Sequence, residues 1–569
     1  MSRLRRPLLA LGLLLALLTG TPGVASAHAQ LESSDPGQSA VLLVPPTQIV
    51  LHFGEPVEID FGSIQVIGPG GTRVDGGAAH HPAGDDHGVA VSLPANLPDG
   101  TFVVSWRVVS ADSHPVHGAY VFSVGSDKGA ARAGALAAGI AGQSGDSVVG
   151  LVYWGVRTVA FVGLLLLAGL SVMVAWLWRD GGRSRRVARV LWWSWAAVVA
   201  ATLAGLAVQG VYASALPIAD AYRPSLIAAV LRTRFGEVAV LRLVLLAAMV
   251  PVLLALRGRL GPRTAGGRWV VPAATGLGLG LLVTPGLAGH AASGDHPLVG
   301  ILLDVSHLVA ASAWLGGLAL LATFLVPRTV DDVLPPDPED LTLRVSSVAF
   351  AGVAVVVATG VVQSIRQVGS TYALVHTSYG QTLMVKIGLV VVLVGLGAVS
   401  RRLVHGRAAR RSHRPDGPSD GSPFPRRRLR RMVTAELVLA VAVVGVTAAL
   451  VNEVPAGQAA GLPFTYSFST FGVQVNTIVD PSRAGPANRV HVYVLSNLGT
   501  PKAVPELDMS ISLPSQSIGP IAIPLVIRGP GHYYARRVDI PVAGNWTLKF
   551  TVRTDAIDEQ VRTTTLPVH

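Results

Sequence analysis

The chain of 569 residues is half hydrophobic, with only 14% charged residues and a net charge of +12. Its mean hydropathy of +0.51 is above that of soluble domains, so most apolar side chains are expected to face lipid. Because the chain has no cysteine, disulfides, Fe–S clusters and thiolate metal sites are excluded. Histidine and carboxylate side chains remain as metal ligands, a set that suits Cu(II), Zn(II) or Ni(II).

The first 27 residues have the pattern of a secretory signal peptide. Three arginines precede an apolar run that is too short to span a bilayer, and Ala25-Ser26-Ala27 forms a small-residue cleavage site. Cleavage there would make His28 the first residue of the mature chain, so that its free α-amine and its ring Nδ1 could hold one metal ion. The alternative is that His28 stands at the junction by chance.

Residues 28–125 are predicted to form an exported all-β sandwich or barrel. Short alternating strands such as "QIVLHF", "GVAVSL" and "TFVVSWRVV" are separated by Gly, Pro and Asp turns, which is typical of such folds. A Gly- and Ala-rich linker follows over 126–148. After a second linker, 454–464, alternating strands return over 465–569 and predict a second exported β-sandwich.

Residues 149–453 are predicted to form an all-α bundle of eight transmembrane helices. Each apolar segment is long enough to cross a bilayer, which takes roughly 20 residues. The expected spans are 149–178, 188–214, 237–256, 269–290, 298–326, 346–366, 381–400 and 432–452.

The distribution of charge predicts the orientation of this bundle. The loops that would face the cytoplasm carry 22 Lys and Arg residues, whereas the loops on the other side carry three. This asymmetry follows the positive-inside rule and agrees with the signal peptide. Both β-domains are therefore expected on the extracytoplasmic side of the cell membrane, and residues 401–431 in the cytoplasm. Because the basic charge belongs to cytoplasmic loops, nucleic acid is not an expected partner.

An internal repeat is expected within the bundle. Each copy has a T-x-[FY]-G segment, a basic residue six positions after it, and a glutamine in a preceding helix. These are residues 233–236, Arg242 and Gln209 in the first copy and residues 377–380, Lys386 and Gln363 in the second. Four helices separate the copies, so they are predicted to be parallel repeats related by an axis along the membrane normal.

The segment "VVSADSHPVHGAYVFSV" contains the strongest candidate metal site. Asp112 and His114 are two residues apart, so on a strand their side chains would point to the same face. With His28 added, one metal ion would have three nitrogens and one oxygen, which suits tetragonal Cu(II). The alternative is an ordinary turn hydrogen bond between Asp112 and His114.

Residues 28–125 resemble the CopC-like periplasmic copper-binding domain. The similarity lies in "HAQLESSDPGQSAVLLVPP", "LHFGEPVE" and "WRVVSADSHPVHG" and extends over the whole domain. It implies a small β-barrel or sandwich that binds Cu(II) through His28, Asp112 and His114. His117 and the loop "HHPAGDDH" at 80–87 are additional, and a solvated polar turn is the expected structure of that loop.

A second candidate site lies at the outer end of the bundle. His290 and His296 occupy a short exposed loop, and Asp304 and His307 follow at i and i+3 on one face of the fifth span. Ionisable residues inside a span are costly and indicate function, although an Asp–His pair could also simply hold helices together.

These motifs, the paired T-x-[FY]-G segments and Glu436 resemble the CopD-like copper-resistance membrane domain over about 149–452. The resemblance implies copper movement across the membrane, with import as the usual direction.

Copper transport is the favoured function: the exported domain captures Cu(II), and the bundle passes copper inward toward an intracellular acceptor. The alternative is a membrane-tethered copper sequestration or sensing protein without transport. A haem enzyme is disfavoured because only His307 is clearly intramembrane. The sequence also has no nucleotide-binding P-loop that could couple ATP hydrolysis to transport. We therefore expect no enzymatic activity. His491 and His532 in the last domain are separated in sequence and are expected to be surface residues.

Overall fold

The computed structural model describes residues 29–125, 147–258, 269–289, 297–325, 333–412, 426–456 and 464–568, and parts of 133–140. Short gaps within these ranges fall at 30, 39, 62–63, 111–112, 334, 369–370, 497–500 and 556. The predicted signal peptide and four of the predicted metal ligands lie outside the described residues: His28, Asp112, His290 and His296.

The N-terminal β-domain is a sandwich of two sheets, as the alternating strands predicted. One sheet has the order β1-β3-β6, and the other has the order β2-β8-β7-β4 with β5 also paired to β7. Aromatic side chains fill the core between them: Phe53 packs edge-to-face on Trp106, and Phe102 stacks on Phe122. The strands are Leu31–Asp35 (β1), Val41–Leu42 (β2), Gln48–Phe53 (β3), Val57–Glu58 (β4), Gln65–Ile67 (β5), Gly88–Ser92 (β6), Gly100–Ser110 (β7) and Pro115–Val124 (β8).

The middle of the chain is helical. In its described part, eight helices are long and apolar enough to cross a membrane, which confirms the eight predicted segments as candidate spans. Helices that have Arg beside the apolar run, such as Arg185–Ser214, Arg234–Leu256 and Arg426–Leu450, begin a few residues before it, because Arg continues a helix well, whereas Val270–Leu287 is shorter than the predicted 269–290. The helices are Ser147–Leu177 (α1), Arg185–Ser214 (α2), the short Pro224–Arg232 (α3), Arg234–Leu256 (α4), Val270–Leu287 (α5), Pro297–Leu325 (α6), Pro338–Val368 (α7), the short Thr371–His376 (α8), Ser378–Ser412 (α9) and Arg426–Leu450 (α10).

Helices α1 and α6 cross at the centre of the bundle with their backbones in contact. A Cβ atom on Gly169 would lie 1.8 Å from the carbonyl oxygen of Ser312, and one on Gly316 would lie 2.3 Å from the carbonyl carbon of Gly169. Small residues allow this close approach, which is a common way for helices to pack in membranes.

The helix contacts are equivalent in the two predicted copies of the repeat, and its axis relative to the membrane stays a prediction. In the first half, α1 packs on α2 and α5, and α4 packs on α5. In the second half, α6 packs in the same way on α7 and α10, and α9 packs on α10. The threonine of each T-x-[FY]-G segment caps a long helix: Thr233 Oγ1 accepts from Gly236 N (3.2 Å), and Thr377 Oγ1 accepts from Gly380 N (3.0 Å). A short helix, α3 or α8, precedes the cap in each half.

The C-terminal β-domain also consists of two antiparallel sheets, with the orders β14-β15-β11-β10-β9 and β13-β12-β16-β17. Trp546 and Phe550 are fully buried in its core. The strands are Phe464–Thr470 (β9), Val473–Asp480 (β10), Gly485–Ser496 (β11), Glu506–Leu513 (β12), Ile518–Ile523 (β13), Val526–Gly529 (β14), His532–Ile540 (β15), Gly544–Arg553 (β16) and Glu559–Val568 (β17).

Candidate functional site

The first candidate site lies at the turn between β7 and β8. Strand β7 ends at Ser110, whose backbone N–H donates to the carbonyl oxygen of His114 (2.9 Å), and Ser113 has a φ of +71°. His114 is therefore part of a tight turn, and the prediction that it continues a strand face from Asp112 is wrong. The sequence pattern overestimated the strand because the turn contains no glycine. His114 is only 4% exposed.

The chain adjoining His28 is fixed in the domain core. Ala29 is fully buried with Phe53 and Trp106 in one apolar cluster. Ala29, the second residue after the predicted cleavage site, is therefore held in the sandwich. His28 and Asp112 lie outside the described residues, so the complete ligand set stays a prediction.

The turn that carries His114 rests on the end of the helical bundle. Gln209 Nε2 of α2 donates to the carbonyl oxygen of Ser113 (2.9 Å), and Ser113 Oγ donates to the carbonyl oxygen of Ala288, just after α5 (3.4 Å). Arg107 of β7 donates to two carbonyl oxygens at the end of α2, those of Ala213 (2.6 Å) and Tyr212 (3.3 Å). Charge-assisted bonds of this kind are stronger than neutral ones, so they fix the turn firmly.

Apolar packing and one half-buried carboxylate complete this interface. Phe61 and Val109 of the N-terminal domain share an apolar cluster with helical residues that include Ala213 and Val230. Glu58 Oε1 accepts a hydrogen bond from the backbone N–H of Arg234, the first residue of α4 (3.1 Å). Burial raises the pKa of Glu58 to about 7, against the lowering effect of that hydrogen bond.

The second candidate site lies where α6, α7 and α9 meet. Asp304 Oδ1 accepts from Gln363 Nε2 of α7 (2.9 Å), and His307 Nδ1 is 2.8 Å from Thr359 Oγ1, one turn earlier on the same helix. Lys386 of α9 interacts electrostatically with both Asp304 and His307. The structure thus brings Asp304 and His307 together as predicted, within a polar cluster that also contains a cation.

The hydrogen bonds determine which nitrogen of His307 is available as a ligand. The hydroxyl of Thr359 donates its single proton to the carbonyl oxygen of Val355 (2.7 Å). It therefore accepts from His307, which places the ring proton on Nδ1 and leaves the lone pair on Nε2. A neutral imidazole with a fixed tautomer is a prepared metal ligand. The sequence analysis missed Thr359, although a threonine in an apolar span is a weak signal.

The equivalent end of the first half carries a different set of groups. The hydroxyl of Tyr153 donates to Gln209 Oε1, and Arg157 donates to that hydroxyl (3.2 Å) and to Asn452 Oδ1. Arg242 Nε donates to Thr284 Oγ1 of α5 (2.9 Å). This half therefore offers positive charge and neutral donors, and no carboxylate comparable to Asp304 takes part in these contacts.

A cavity of about 440 Å³ lies at the opposite end of the second half, between α6, α7, α9 and α10. Glu436, Ser400 and His405 line it among mostly apolar residues. Ser400 Oγ donates to Glu436 Oε1 (2.6 Å), which holds this carboxylate at the cavity wall. The sequence analysis singled out only Glu436 in this region, because His405 lies in the predicted loop 401–431 and Ser400 at the very end of the predicted span 381–400.

The described residues contain no group of three His, Asp or Glu side chains that could hold a metal ion. In the loop at 80–87, His81 Nδ1 and His87 Nδ1 bond to the carbonyl oxygens of Gly88 (2.8 Å) and Phe53 (3.1 Å). These bonds favour the predicted polar turn over a collecting site for metal.

Three family models match the chain. The CopC domain matches residues 31–125, the copper resistance protein D-like N-terminal domain matches residues 146–298, and copper resistance protein D matches residues 341–450. These matches define the class of the protein: a multi-pass membrane protein of the copper resistance family, with a CopC domain followed by CopD-like domains.

Individual proteins are similar to most of the chain or to its N-terminal part. Copper transport protein CutJ of Bacillus subtilis (strain 168) is 29% identical over 553 residues, which cover 94% of this chain and 95% of CutJ. Protein YobA of Escherichia coli (strain K12) is 37% identical over 113 residues, covering 19% of this chain and 90% of YobA. The crystal structure of CopC from Methylosinus trichosporium OB3b has 31% identity and a TM-score of 0.16, covering 17% of this chain and 93% of that one. The chain belongs to the family that fuses CopC to CopD-like domains, the arrangement over which it matches CutJ.

Proposed function

We propose that this protein captures Cu(II) outside the membrane with its CopC domain and passes copper into the cell through the helical bundle. The observation that carries the proposal is the hydrogen bond from Gln209 to Ser113, because it holds the turn of His114 against the bundle. Copper released at that turn would leave the CopC domain next to the membrane part and not into bulk solvent. No catalytic reaction is part of this function.

Two contacts connect the turn of His114 with the second candidate site at Asp304 and His307. Ser113 contacts Ala288 after α5, and two residues earlier Gly286 lies beside Asp304: a Cβ atom on Gly286 would be 3.7 Å from Asp304 Oδ2. Asp304 would offset the charge of the ion inside the membrane, and Nε2 of His307 would bind it. His290 and His296, in the loop between α5 and α6, are the proposed first ligands on this path.

The cavity lined by Glu436 supports an exit on the other side of the second half. It provides a carboxylate and an imidazole, Glu436 and His405, beyond the Asp304–His307 pair. We propose that copper passes to this cavity and then to an intracellular acceptor. The excess of basic residues in the loops at this end supports a cytoplasmic position, with the two β-domains and the cleaved N-terminus on the extracytoplasmic side.

Copper accumulation tests the transport function. Cells without the gene receive the wild-type protein, His307→Ala, or the control His87→Ala, which removes a histidine of the CopC domain outside the proposed path. We expect His307→Ala to lower copper accumulation at least ten-fold while the protein inserts and still binds Cu(II), and His87→Ala to behave as wild type. Native accumulation by His307→Ala would identify His307 as a structural contact between helices. Binding without accumulation by the wild-type protein would favour the sequestration or sensing alternative.

The role of the mature N-terminus requires its own test. One alanine inserted between Ala27 and His28 would move the α-amine away from the imidazole of His28 without altering any described residue. We expect Cu(II) affinity, measured against a competing chelator, to fall strongly in the inserted variant and also in His114→Ala. Equal affinity of the inserted and native forms would remove His28 from the site.

A further inference from the structure

The cavity between α6, α7, α9 and α10 is elongated and opens on the outer surface of the bundle. Its lining on α9 extends from Leu393 to His405, a length of roughly 18 Å at a helical rise of about 1.5 Å per residue. Phe350 of α7 and Ala398 of α9 both line the cavity, and both are exposed, Phe350 by 55%. These two residues therefore flank a lateral opening, which in a membrane would face the hydrocarbon tails of the lipids.

The cavity is lined mostly by apolar side chains. Each of the four helices contributes at least one: Leu318, Val353, Val394 and Val433. Such a lining offers water no hydrogen-bond partners, and apolar cavities of this kind stay dry or take up an apolar ligand. Because the cavity opens beside the lipid tails, an acyl chain is the apolar ligand that can reach it.

One end of the cavity carries two arginines. Arg401 and Arg402 directly follow the apolar run 381–400, so they are expected at the level of the lipid head groups. The guanidinium carbon of Arg401 lies 4.3 Å from the ring centre of Phe350, and its Nη1 donates to the carbonyl oxygen of Ser346 (3.1 Å). These two contacts fix the guanidinium at the opening. Its other side-chain N–H groups make no hydrogen bond within the described part of the chain, so they can donate to an anion.

We propose that this cavity binds one anionic phospholipid, with an acyl chain between the four helices and the phosphate at Arg401 and Arg402. Guanidinium groups match the geometry of phosphate, and basic pockets between transmembrane helices bind acidic lipid head groups. Glu436 is the one carboxylate among the described lining residues, and it lies on the wall formed by α10, where Ser400 donates to it (2.6 Å). The head group at the opening therefore meets two positive charges.

The bound lipid would complete the wall of the exit cavity. Copper that leaves Asp304 and His307 for Glu436 and His405 would pass the lateral opening, and hydrocarbon does not solvate an ion. An acyl chain in this opening separates the ion path from the bilayer. This role rests on the proposed copper path, whereas the binding of the lipid does not.

Native mass spectrometry of the copper-free, full-length protein in detergent tests the head-group contact. The protein receives phosphatidylglycerol or phosphatidylcholine with the same acyl chains. We expect the first phosphatidylglycerol to bind at least ten-fold more tightly than the first phosphatidylcholine, and this preference to fall below about two-fold when Arg401→Gln and Arg402→Gln are combined. The control combines Arg427→Gln and Arg428→Gln, which removes the same charge from exposed positions of α10 outside the cavity. It should keep the preference.

A larger side chain inside the cavity tests the acyl-chain contact. Gly397 lines the cavity, and a Cβ atom there would meet only Glu436 Oε2, at 4.0 Å. Gly397→Leu therefore places its side chain in the cavity without a clash and should weaken the binding of both lipids at least ten-fold. The control Gly395→Leu changes the same helix outside the cavity, where a Cβ atom would meet nothing within 4 Å, and should bind both lipids as wild type does.

Equal binding of the two lipids by the wild-type protein would show adventitious lipid only and overturn the proposal. A preference that survives the loss of both arginines, or tight binding that survives Gly397→Leu, would also overturn it. Because the measurement contains no copper, a protein that binds the lipid as expected but does not transport copper would contradict the proposed function and still support the lipid site.

Discussion

The two halves of the helical bundle have the same backbone plan but carry different charged groups at the end that faces the CopC domain. In the first half, Arg157 and Arg242 interact with Tyr153, whose hydroxyl donates to Gln209. In the second half, Asp304 and His307 stand beside Lys386. The equivalent glutamines show the divergence best: Gln363 donates to the carboxylate of Asp304, whereas Gln209 donates to the backbone of the CopC turn. One half therefore holds the CopC domain, and the other carries the residues proposed to bind the ion.

The largest expected effect is a loss of stability when the glycine of either T-x-[FY]-G segment, a feature that both halves share, is replaced. A Cβ atom on Gly236 would lie 2.1 Å from the carbonyl oxygen of Val230, and one on Gly380 would lie 2.1 Å from that of Leu374. Because both atoms belong to backbone, the short helix must move to admit a methyl group. We expect Gly236→Ala and Gly380→Ala each to destabilise the protein by on the order of 3 kcal/mol. Thermal unfolding in detergent measures this.

The matched controls are Gly150→Ala and Gly388→Ala, one in each half, where a Cβ atom would meet nothing within 4 Å. Alanine favours helix over glycine by up to about 1 kcal/mol, so these variants should be as stable as wild type or more stable. A large effect at only one of the two T-x-[FY]-G glycines would contradict the structural equivalence of the halves.

The next effect is a difference in copper-uptake kinetics between variants of the two equivalent glutamines. Gln363→Ala removes a hydrogen bond to a charged group, worth roughly 1.5–3 kcal/mol, and should lower the maximal rate of copper uptake about ten-fold. Gln209→Ala releases the CopC turn and should raise the copper concentration needed for half-maximal uptake, with little change in the maximal rate. Uptake measured over a range of copper concentrations distinguishes the two outcomes.

Gln381→Ala is the control for both glutamine variants. Its side chain bonds only to the carbonyl oxygen of Val375 among the contacts described for it (3.2 Å) and should leave uptake unchanged. If Gln209→Ala and Gln363→Ala gave the same kinetic change, the division of roles between the halves would be wrong.

The smallest effect is a pH dependence of stability that arises from Glu58, where the CopC domain contacts the first half of the bundle. The folded pKa of Glu58, about 7, is above its value of 4.5 in a model compound. The folded state therefore binds more protons than the unfolded state between these values, and this residue makes stability fall as the pH rises through that window. We expect Glu58→Gln to remove this decline, which is on the order of 1 kcal/mol after allowance for solvent screening.

Thermal unfolding of wild type and Glu58→Gln between pH 5 and pH 8 measures the difference. The exposed residue Glu32 supplies the control variant Glu32→Gln, which should follow the wild-type pH profile. Parallel profiles for wild type and Glu58→Gln would show that Glu58 is not buried between the CopC domain and α4.

Much of the fold followed from local patterns. The apolar segments predicted all eight candidate spans, and the alternating strands predicted two β-domains. The match of T-x-[FY]-G segments was short, yet it located two equivalent caps. The strand ending at Ser110 was the main error, because the period of two continues through residues that the chain uses for a turn.

The candidate sites were predicted less completely. Asp304 and His307 were found because ionisable residues stand out in an apolar span, but their partners Gln363 and Thr359 come from a different helix. His491 and His532 are buried and not surface residues as predicted. They were misjudged for the same reason: they are 41 residues apart, and only strand pairing makes them neighbours.

The sequence by itself determined the candidate spans, the class of each domain and the ionisable residues in the spans, because hydrophobic periodicity acts along short stretches of chain. The tertiary structure alone decided what those residues face. It seated the CopC turn on Gln209, paired Asp304 with Gln363, and buried two histidines under the CopC domain. Such contacts join residues far apart in the chain, and their formation depends on the packing of whole elements, which no local pattern encodes.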